Sequence, residues 1–281
     1  MKTLFIINPI SGKGKKRKIA KVLQAKGYKI LFTEYAGHAE KLAREATEDI
    51  VVAVGGDGTV NEVARGLIGS NKALGIIPCG SGDGLARCLG LSNNINKAIK
   101  TIEHGTQRVM DTAEINGRPF FSVCGVGFDA VVSERFAKSG KRGVTNYIKL
   151  GLNTWHNYSP EHYTITIDGE EHKTDSLLIT IGNSNQWGNN AKITPLASCF
   201  DGLLEVTIVE KFSFWELPLI AFRLMTGSLH KSRKIANYRG KEICINRATE
   251  GVAHADGDWF IDSKELNIKI LPATLKVIVA R

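Results

Sequence analysis

The segment Gly55-Gly56-Asp57-Gly58-Thr59 places three glycines, one acid and one hydroxyl in five positions. Residues 50–54 before it form an unbroken apolar run, and residues 60–67 after it read as a helix. A buried strand therefore feeds a tight turn that opens a helix. The N–H groups freed at such a helix start, with the helix dipole behind them, form a phosphate site. Glycine lets a ligand reach the main chain with no Cβ in the way. Asp57 repels phosphate directly, so it makes sense with a divalent cation or its water shell in between. The chemistry these residues suit is nucleotide binding with a metal.

The elements that must position this turn are legible around it. Residues 3–7, 29–33, 50–54 and 73–78 read as strands; 16–24, 39–47, 60–67, 84–89 and 95–103 read as helices. Apolar, β-branched runs alternating with helices predict a parallel sheet covered on both faces, with ligand sites beyond the carboxyl ends of its strands. Three glycine-rich turns, Ser11-Gly12-Lys13-Gly14, Gly55-Gly56-Asp57-Gly58 and Gly80-Ser81-Gly82-Asp83-Gly84, each follow a strand and are expected along one edge.

From about residue 107 strands dominate: 109–115, 120–126, 163–168, 177–182, 203–209, 242–246, 252–255, 266–270 and 275–279. Residues 163–167 alternate, and Asp168-Gly169 is a hairpin turn signal. An antiparallel β-sandwich is expected here. Two helical stretches interrupt it, 147–155 and 214–228. The second opens on a capping box, Ser213 with Glu216, and a staple of Phe212 on Leu217. The expected division is an α/β nucleotide domain over 1–118 and a β-sandwich substrate domain over 119–281, with the final segment able to return to the first.

Composition narrows the partners. Lysine and arginine number 37 against 28 acids, a net charge of +9. That balance favours phosphate-bearing partners: nucleotide, nucleic acid or an anionic membrane. No aromatic-basic recognition motif supports a nucleic acid, so none is expected. Five scattered cysteines without C-x-x-C spacing suit reduced thiols in the cytoplasm. No apolar run reaches the roughly 18 residues needed to span a bilayer, and residues 4–7 are too short for a signal peptide. Any membrane contact is therefore peripheral. Residues 214–229 are apolar nearly all round, with Arg223, Lys231, Arg233 and Lys234 in or just after them. Burial in the sandwich core is one reading; a lipid-facing element with a basic rim is the other. Lys15, Lys16, Arg17, Lys18 and Lys21 read as a solvated helix face.

Four motifs in order resemble the lipid kinase family of diacylglycerol, sphingosine and ceramide kinases, whose nucleotide domain is shared with NAD kinases and, more distantly, phosphofructokinases. They are Asn8-Pro9-Ile10-Ser11-Gly12-Lys13-Gly14, Gly55-Gly56-Asp57-Gly58-Thr59 followed by Asn61-Glu62-Val63, Pro78-Cys79-Gly80-Ser81-Gly82-Asp83-Gly84-Leu85-Ala86-Arg87, and His254-Ala255-Asp256-Gly257-Asp258. Secondary blocks lie between them at Gly125-Val126-Gly127-Phe128-Asp129, Gly182-Asn183 and Asp201-Gly202-Leu203-Leu204. One departure stands out: Asp83 occupies a position where the diacylglycerol kinases usually have Asn, and Gly84 one where they have a second Asp.

The resemblance implies an NAD kinase-like α/β domain followed by a β-sandwich, and an ATP-dependent kinase acting on a lipid hydroxyl such as that of diacylglycerol or a sphingoid base. It implies that Asn8, Ser11, Gly12, Lys13, Thr33, Gly55, Gly56, Asp57, Gly58, Thr59, Glu62, Gly80, Ser81, Gly82 and Asp83 surround ATP, with Mg²⁺ near Asp57. Asp256 is expected as the base that takes the hydroxyl proton, with Asp258 as the alternative. Asp201, with the carbonyls of Ser198 and Leu203, is expected to hold a structural Mg²⁺. Asp129 is expected near the lipid head group. The expected partner is a lipid substrate at an anionic membrane surface, and a homodimer is compatible with it. An NAD kinase-like enzyme of a soluble substrate and a non-catalytic nucleotide- or lipid-binding module are the alternatives.

Overall fold

The computed structural model describes residues 1–10, 15–140 and 143–281. The chain forms two compact units, one of Met1–Asp111 with Pro272–Arg281 and one of Thr112–Leu271.

In the first unit the chain runs β1 (Thr3–Ile7), α1 (Lys15–Ala25), β2 (Lys29–Phe32), α2 (His38–Glu45), β3 (Ile50–Gly55), α3 (Asp57–Leu67), β4 (Ala73–Pro78), α4 (Gly84–Cys88) and α5 (Ile95–His104), and leaves through β5 (Thr106–Ile115). The strands lie in the order β2-β1-β3-β4, all parallel. β3 and β4 are buried at every residue, as continuous apolar runs in a two-sided parallel sheet should be. Phe5, Ile7, Val52, Val54 and Ile77 pack against Ile19 and Leu23 of α1 and Ile99 and Ile102 of α5.

The second unit runs β6 (Arg118–Phe120), β7 (Val123–Gly127), α6 (Phe128–Lys138), α7 (Val144–Trp155), β8 (Glu161–Ile167), β9 (Glu170–Ser176), β10 (Leu178–Gly182), β11 (Leu204–Val209), α8 (Leu217–Thr226), β12 (Ile235–Gly240), β13 (Glu242–Arg247), β14 (Gly251–Ala255), β15 (Asp258–Asp262) and β16 (Glu265–Val279). One antiparallel sheet has the order β12-β11-β10-β7-β14-β15. The opposing strands run β16-β13-β8-β9, also antiparallel. Val126, Ile179 and Val206 from the first set meet Ile165, Ile243 and Ile268 from the second in one apolar core, which makes a sandwich. Residues 272–279 of β16 belong to the first unit, where Lys276 and Val277 pair in parallel with Ala73 and Leu74 of β4.

The α/β-plus-sandwich class matches the expectation from sequence, and several elements differ. The expected strand 120–126 is two strands, β6 and β7, and the expected 266–270 and 275–279 are the single β16. The stretch 214–228 is one 3-10 turn at Phe214–Glu216 followed by α8. Its capping box is present: Glu216 Oε2 accepts the Ser213 N–H at 2.7 Å and Ser213 Oγ accepts the Trp215 N–H at 3.4 Å. The core-burial reading of this stretch is corrected for one face: Leu229 is buried and Leu217, Ile220 and Leu224 are half-buried against a small core, whereas Leu219, Phe222 and Met225 are exposed. The solvated-face reading of the lysines is corrected at Lys16, which is buried.

Candidate functional site

Two glycine turns of the first unit meet directly. Beyond β4 the Cys79 N–H donates to the Gly55 carbonyl at 2.8 Å, so the strand ends stay in register as the turns begin. A Cβ on Gly80 would come within 2.8 Å of the Gly56 Cα, a contact real Cβ atoms do not make. Only glycine permits that approach.

Asp57, the first residue of α3, holds the two turns together. Its Oδ2 accepts the Asp83 N–H at 2.9 Å and its Oδ1 accepts the Gly84 N–H at 2.7 Å. These are N–H groups at the start of α4, which a carboxylate satisfies well. Asp83 sits in the left-handed region at φ 49°, and its own Oδ1 accepts the Gly80 N–H at 2.9 Å, closing the loop on itself. Arg87 Nε donates to the Gly82 carbonyl at 3.0 Å. A Cβ on Gly58, by contrast, would meet nothing within 4 Å. The outer side of the first turn of α3 is therefore open, which fits a ligand at this helix start. Ser81 is exposed beside it, while Thr59 is buried and faces Gly55.

The remaining candidates of this unit have varied surroundings. Asn8 Oδ1 accepts the Ile10 N–H at 3.0 Å. Its carbonyl accepts from Lys16 Nζ. Thr33 is buried, its N–H on the Ile7 carbonyl at 2.9 Å. Glu62 Oε2 accepts the Ala39 N–H at 3.1 Å, at the start of α2. Ser11, Gly12 and Lys13 lie outside the described residues. Lys16 is the residue that sequence reasoning missed. Burial pulls its ammonium down to about 8, the neighbouring Cys79 thiol opposing. The signal was available: Lys16 precedes Ile19, Ala20 and Leu23 by 3, 4 and 7 residues, so it lies on the buried stripe of α1.

In the second unit, Asp256 and Gly257 form the two-residue turn between β14 and β15, with φ of 51° and 85°. Asp256 Oδ2 accepts the Phe121 N–H at 2.9 Å, and Oδ1 accepts the N–H groups of Ser122 at 2.8 Å and Val123 at 3.1 Å. A carboxylate so occupied holds the 121–123 bend in place. Asp258, which opens β15 opposite Ala255, is exposed. Asp129 is turned inward. Its Oδ2 accepts from Thr180 Oγ1 at 2.9 Å and lies 3.0 Å from His254 Nε2, all three residues being buried. Burial pushes the Cys124 thiol well up, with Asp256 and Asp129 adding to the effect.

At the expected structural metal site, Asp201 Oδ1 accepts the Leu203 N–H at 3.2 Å, and the carboxylate pairs with the Arg239 guanidinium. Ser198 and Leu203 are half-buried. Glu205, two residues on, is wholly buried; its Oε2 accepts the Leu196 N–H at 2.7 Å and its Oε1 the Asn237 amide at 2.8 Å. Burial raises its carboxyl to about 7 against these donors. Among the described residues, no three His, Cys, Asp or Glu side chains gather as a metal cluster.

A parallel sheet followed by an antiparallel sandwich is the architecture of the NAD kinase fold. The NAD kinase of Archaeoglobus fulgidus, solved in complex with ATP, superposes with a TM-score of 0.59 at 12% identity, covering 98% of this chain and 93% of that one. A solved Bacillus anthracis protein assigned to the diacylglycerol kinases superposes with a TM-score of 0.82 at 26% identity, over 99% of this chain and 95% of the other. Residues 2–115 match the diacylglycerol kinase catalytic domain, and residues 122–279 match the YegS C-terminal NAD kinase beta sandwich-like domain. The diacylglycerol kinase of Bacillus subtilis strain 168 is 29% identical, covering 91% of this chain and 89% of its own length. That of Staphylococcus saprophyticus is 30% identical over 91% and 88%. The chain belongs to the family of diacylglycerol kinases and YegS-like lipid kinases.

Proposed function

We propose that the protein is an ATP-dependent lipid kinase that phosphorylates a primary hydroxyl of diacylglycerol or a closely similar lipid. The observation that carries this reading is the pair of glycine turns joined by Asp57 beside the open first turn of α3, in a chain whose first 115 residues match a diacylglycerol kinase catalytic domain almost throughout. ATP supplies the γ-phosphoryl group and Mg²⁺ spreads its charge.

The chain's own residues bind and orient. Main-chain N–H groups of the first turn of α3 and of Ser81 and Gly82 meet the phosphates, those of Gly80 and Asp83 being bound to Asp83 Oδ1 and Asp57 Oδ2. Each Asp57 oxygen has accepted one N–H and keeps a lone pair for a water of hydrated Mg²⁺. As the lipid oxygen bonds to the γ-phosphorus and the bond to the β-phosphate oxygen breaks, the hydroxyl proton goes to a carboxylate. Asp258 is the better base, since the oxygens of Asp256 serve the 121–123 bend. A structural cation by Asp201 would rest on main-chain carbonyls, because Arg239 neutralises the side chain.

The test is transfer of labelled phosphate from ATP to a panel of diacylglycerols, sphingoid bases and NAD. Labelled phosphatidic acid that disappears with Asp57→Ala supports the reading. Labelled NADP in place of lipid product, or nucleotide binding with no turnover, overturns it.

A further inference from the structure

The second unit exposes an apolar surface on α7 and α8. α8 is apolar on two sides. Leu217, Ile220 and Leu224 pack on a small core with Val123 and Ile193, whereas Leu219, Phe222 and Met225 stand in solvent, Phe222 with 63% of its surface exposed. Just ahead of the helix, Phe214 and Trp215 extend the patch, and Trp215 is 87% exposed. From α7, Ile148 and Leu152 join it, and Leu152 lines a shallow groove with Trp215 and Pro218. Contiguous apolar surface of this extent marks an interaction site.

The charges around the patch select its partner. Residues 210–234 carry Lys211, Arg223, Lys231, Arg233 and Lys234 against two acids, Glu210, which pairs with Lys234, and Glu216, which is engaged in the capping box. α7 contributes Lys149 and no acid. A second copy of the chain docked about a two-fold axis would bring the same cations together and be repelled. An apolar face edged by lysine and arginine suits an element lying in the interface of an anionic bilayer, with its aromatic rings at head-group depth.

We infer that α8 with Phe214 and Trp215, together with Ile148 and Leu152 of α7, is a membrane-docking surface that seats Trp215 and Phe222 in an anionic phospholipid bilayer while Lys211, Lys231 and Arg233 meet lipid phosphates. The lipid-kinase reading supplies only the purpose of this surface; attachment is measurable without catalysis.

The experiment is co-sedimentation of the full chain with sucrose-loaded vesicles, free of nucleotide and diacylglycerol. Vesicles of equal parts phosphatidylglycerol and phosphatidylcholine are expected to bind it, with binding falling as salt rises; phosphatidylcholine alone binds poorly. Replacing Lys231 and Arg233 by Gln lowers the partition about 25-fold, roughly one kcal/mol for each cation at the surface. Trp215→Ser with Phe222→Ser lowers it at least about tenfold. Brominated acyl chains quench tryptophan emission, and Trp215→Phe removes that quenching. The same variants phosphorylate a short-chain diacylglycerol in detergent at the rate of the parent. Equal vesicle binding by all variants, or a solution dimer that Phe222→Ser dissociates, overturns the surface. Vesicle binding without any lipid phosphorylation overturns the kinase reading and leaves the surface standing. Phosphorylation without vesicle binding does the reverse.

Discussion

Asp57 and Asp256 each precede a glycine in a tight turn, and each uses its carboxylate to hold a distant segment of main chain. They differ in what remains. Asp57 takes one N–H on each oxygen and stands beside open space at Gly58. Asp256 takes three N–H groups in a left-handed turn. The same dipeptide thus clips two glycine turns beside open space in one unit and pins a bend in the other, and the exposed Asp258 two residues on is the acid to which we assign the base's role.

The contrast breaks first at Asp57. Asp57→Ala is expected to lower kcat/KM with ATP by about a thousandfold, the scale of lost electrostatic preorganisation. Asp57→Asn, which keeps one acceptor, should retain the fold within about 1 kcal/mol yet lose about a hundredfold in activity; near-full activity in Asp57→Asn would reduce this acid to a loop clip. Next, Asp256→Ala should destabilise the protein by about 3 kcal/mol in urea unfolding, three main-chain donors losing their acceptor at about 1 kcal/mol each. Asp258→Asn should do the opposite, with stability unchanged within about 0.5 kcal/mol and kcat reduced about a hundredfold. A stable, inactive Asp256→Asn with a fully active Asp258→Asn would exchange the two roles.

The smallest effect extends the comparison to a third main-chain acceptor, Glu205. Burial holds its proton to about 7, against an ordinary value of 4.5. Between those values the folded protein binds a proton that the unfolded chain has released, so this group's contribution to stability falls as pH rises. Thermal unfolding midpoints should drop between pH 5 and pH 8 by a few degrees, and Glu205→Gln should flatten that part of the profile.

Much of this was legible from residue types alone. The glycine turns at 55–58 and 80–84, the alternation of strands and helices in the first unit, the Asp168-Gly169 hairpin and the Ser213 capping box are all local patterns, and each occurs where its spacing predicts. What escaped notice depends on tertiary partners. β9 reads Glu-Glu-His-Lys-Thr-Asp-Ser and among the described residues pairs only with β8, so it carries almost no apolar signal. α6 follows Gly127, at φ 95°, directly after a segment that reads as strand, and no local signal marks its start. The faces of α8 could not be told apart, because apolar residues cover both and only tertiary packing decides which rests on the small core. The Asp57 and Asp256 motifs were visible, but the atoms their oxygens touch lie 26 to 27 and 133 to 135 residues away.

Residues 272–279 of β16 stand beside β4 in the sheet of the first unit, although 160 residues of the other unit separate them from Asp111. On the ribosome, the first unit must therefore wait with an incomplete sheet until residues 272–279 have been made. The sandwich can finish first, and an early nascent chain carries an unsatisfied β4 edge that residues 272–279 close later.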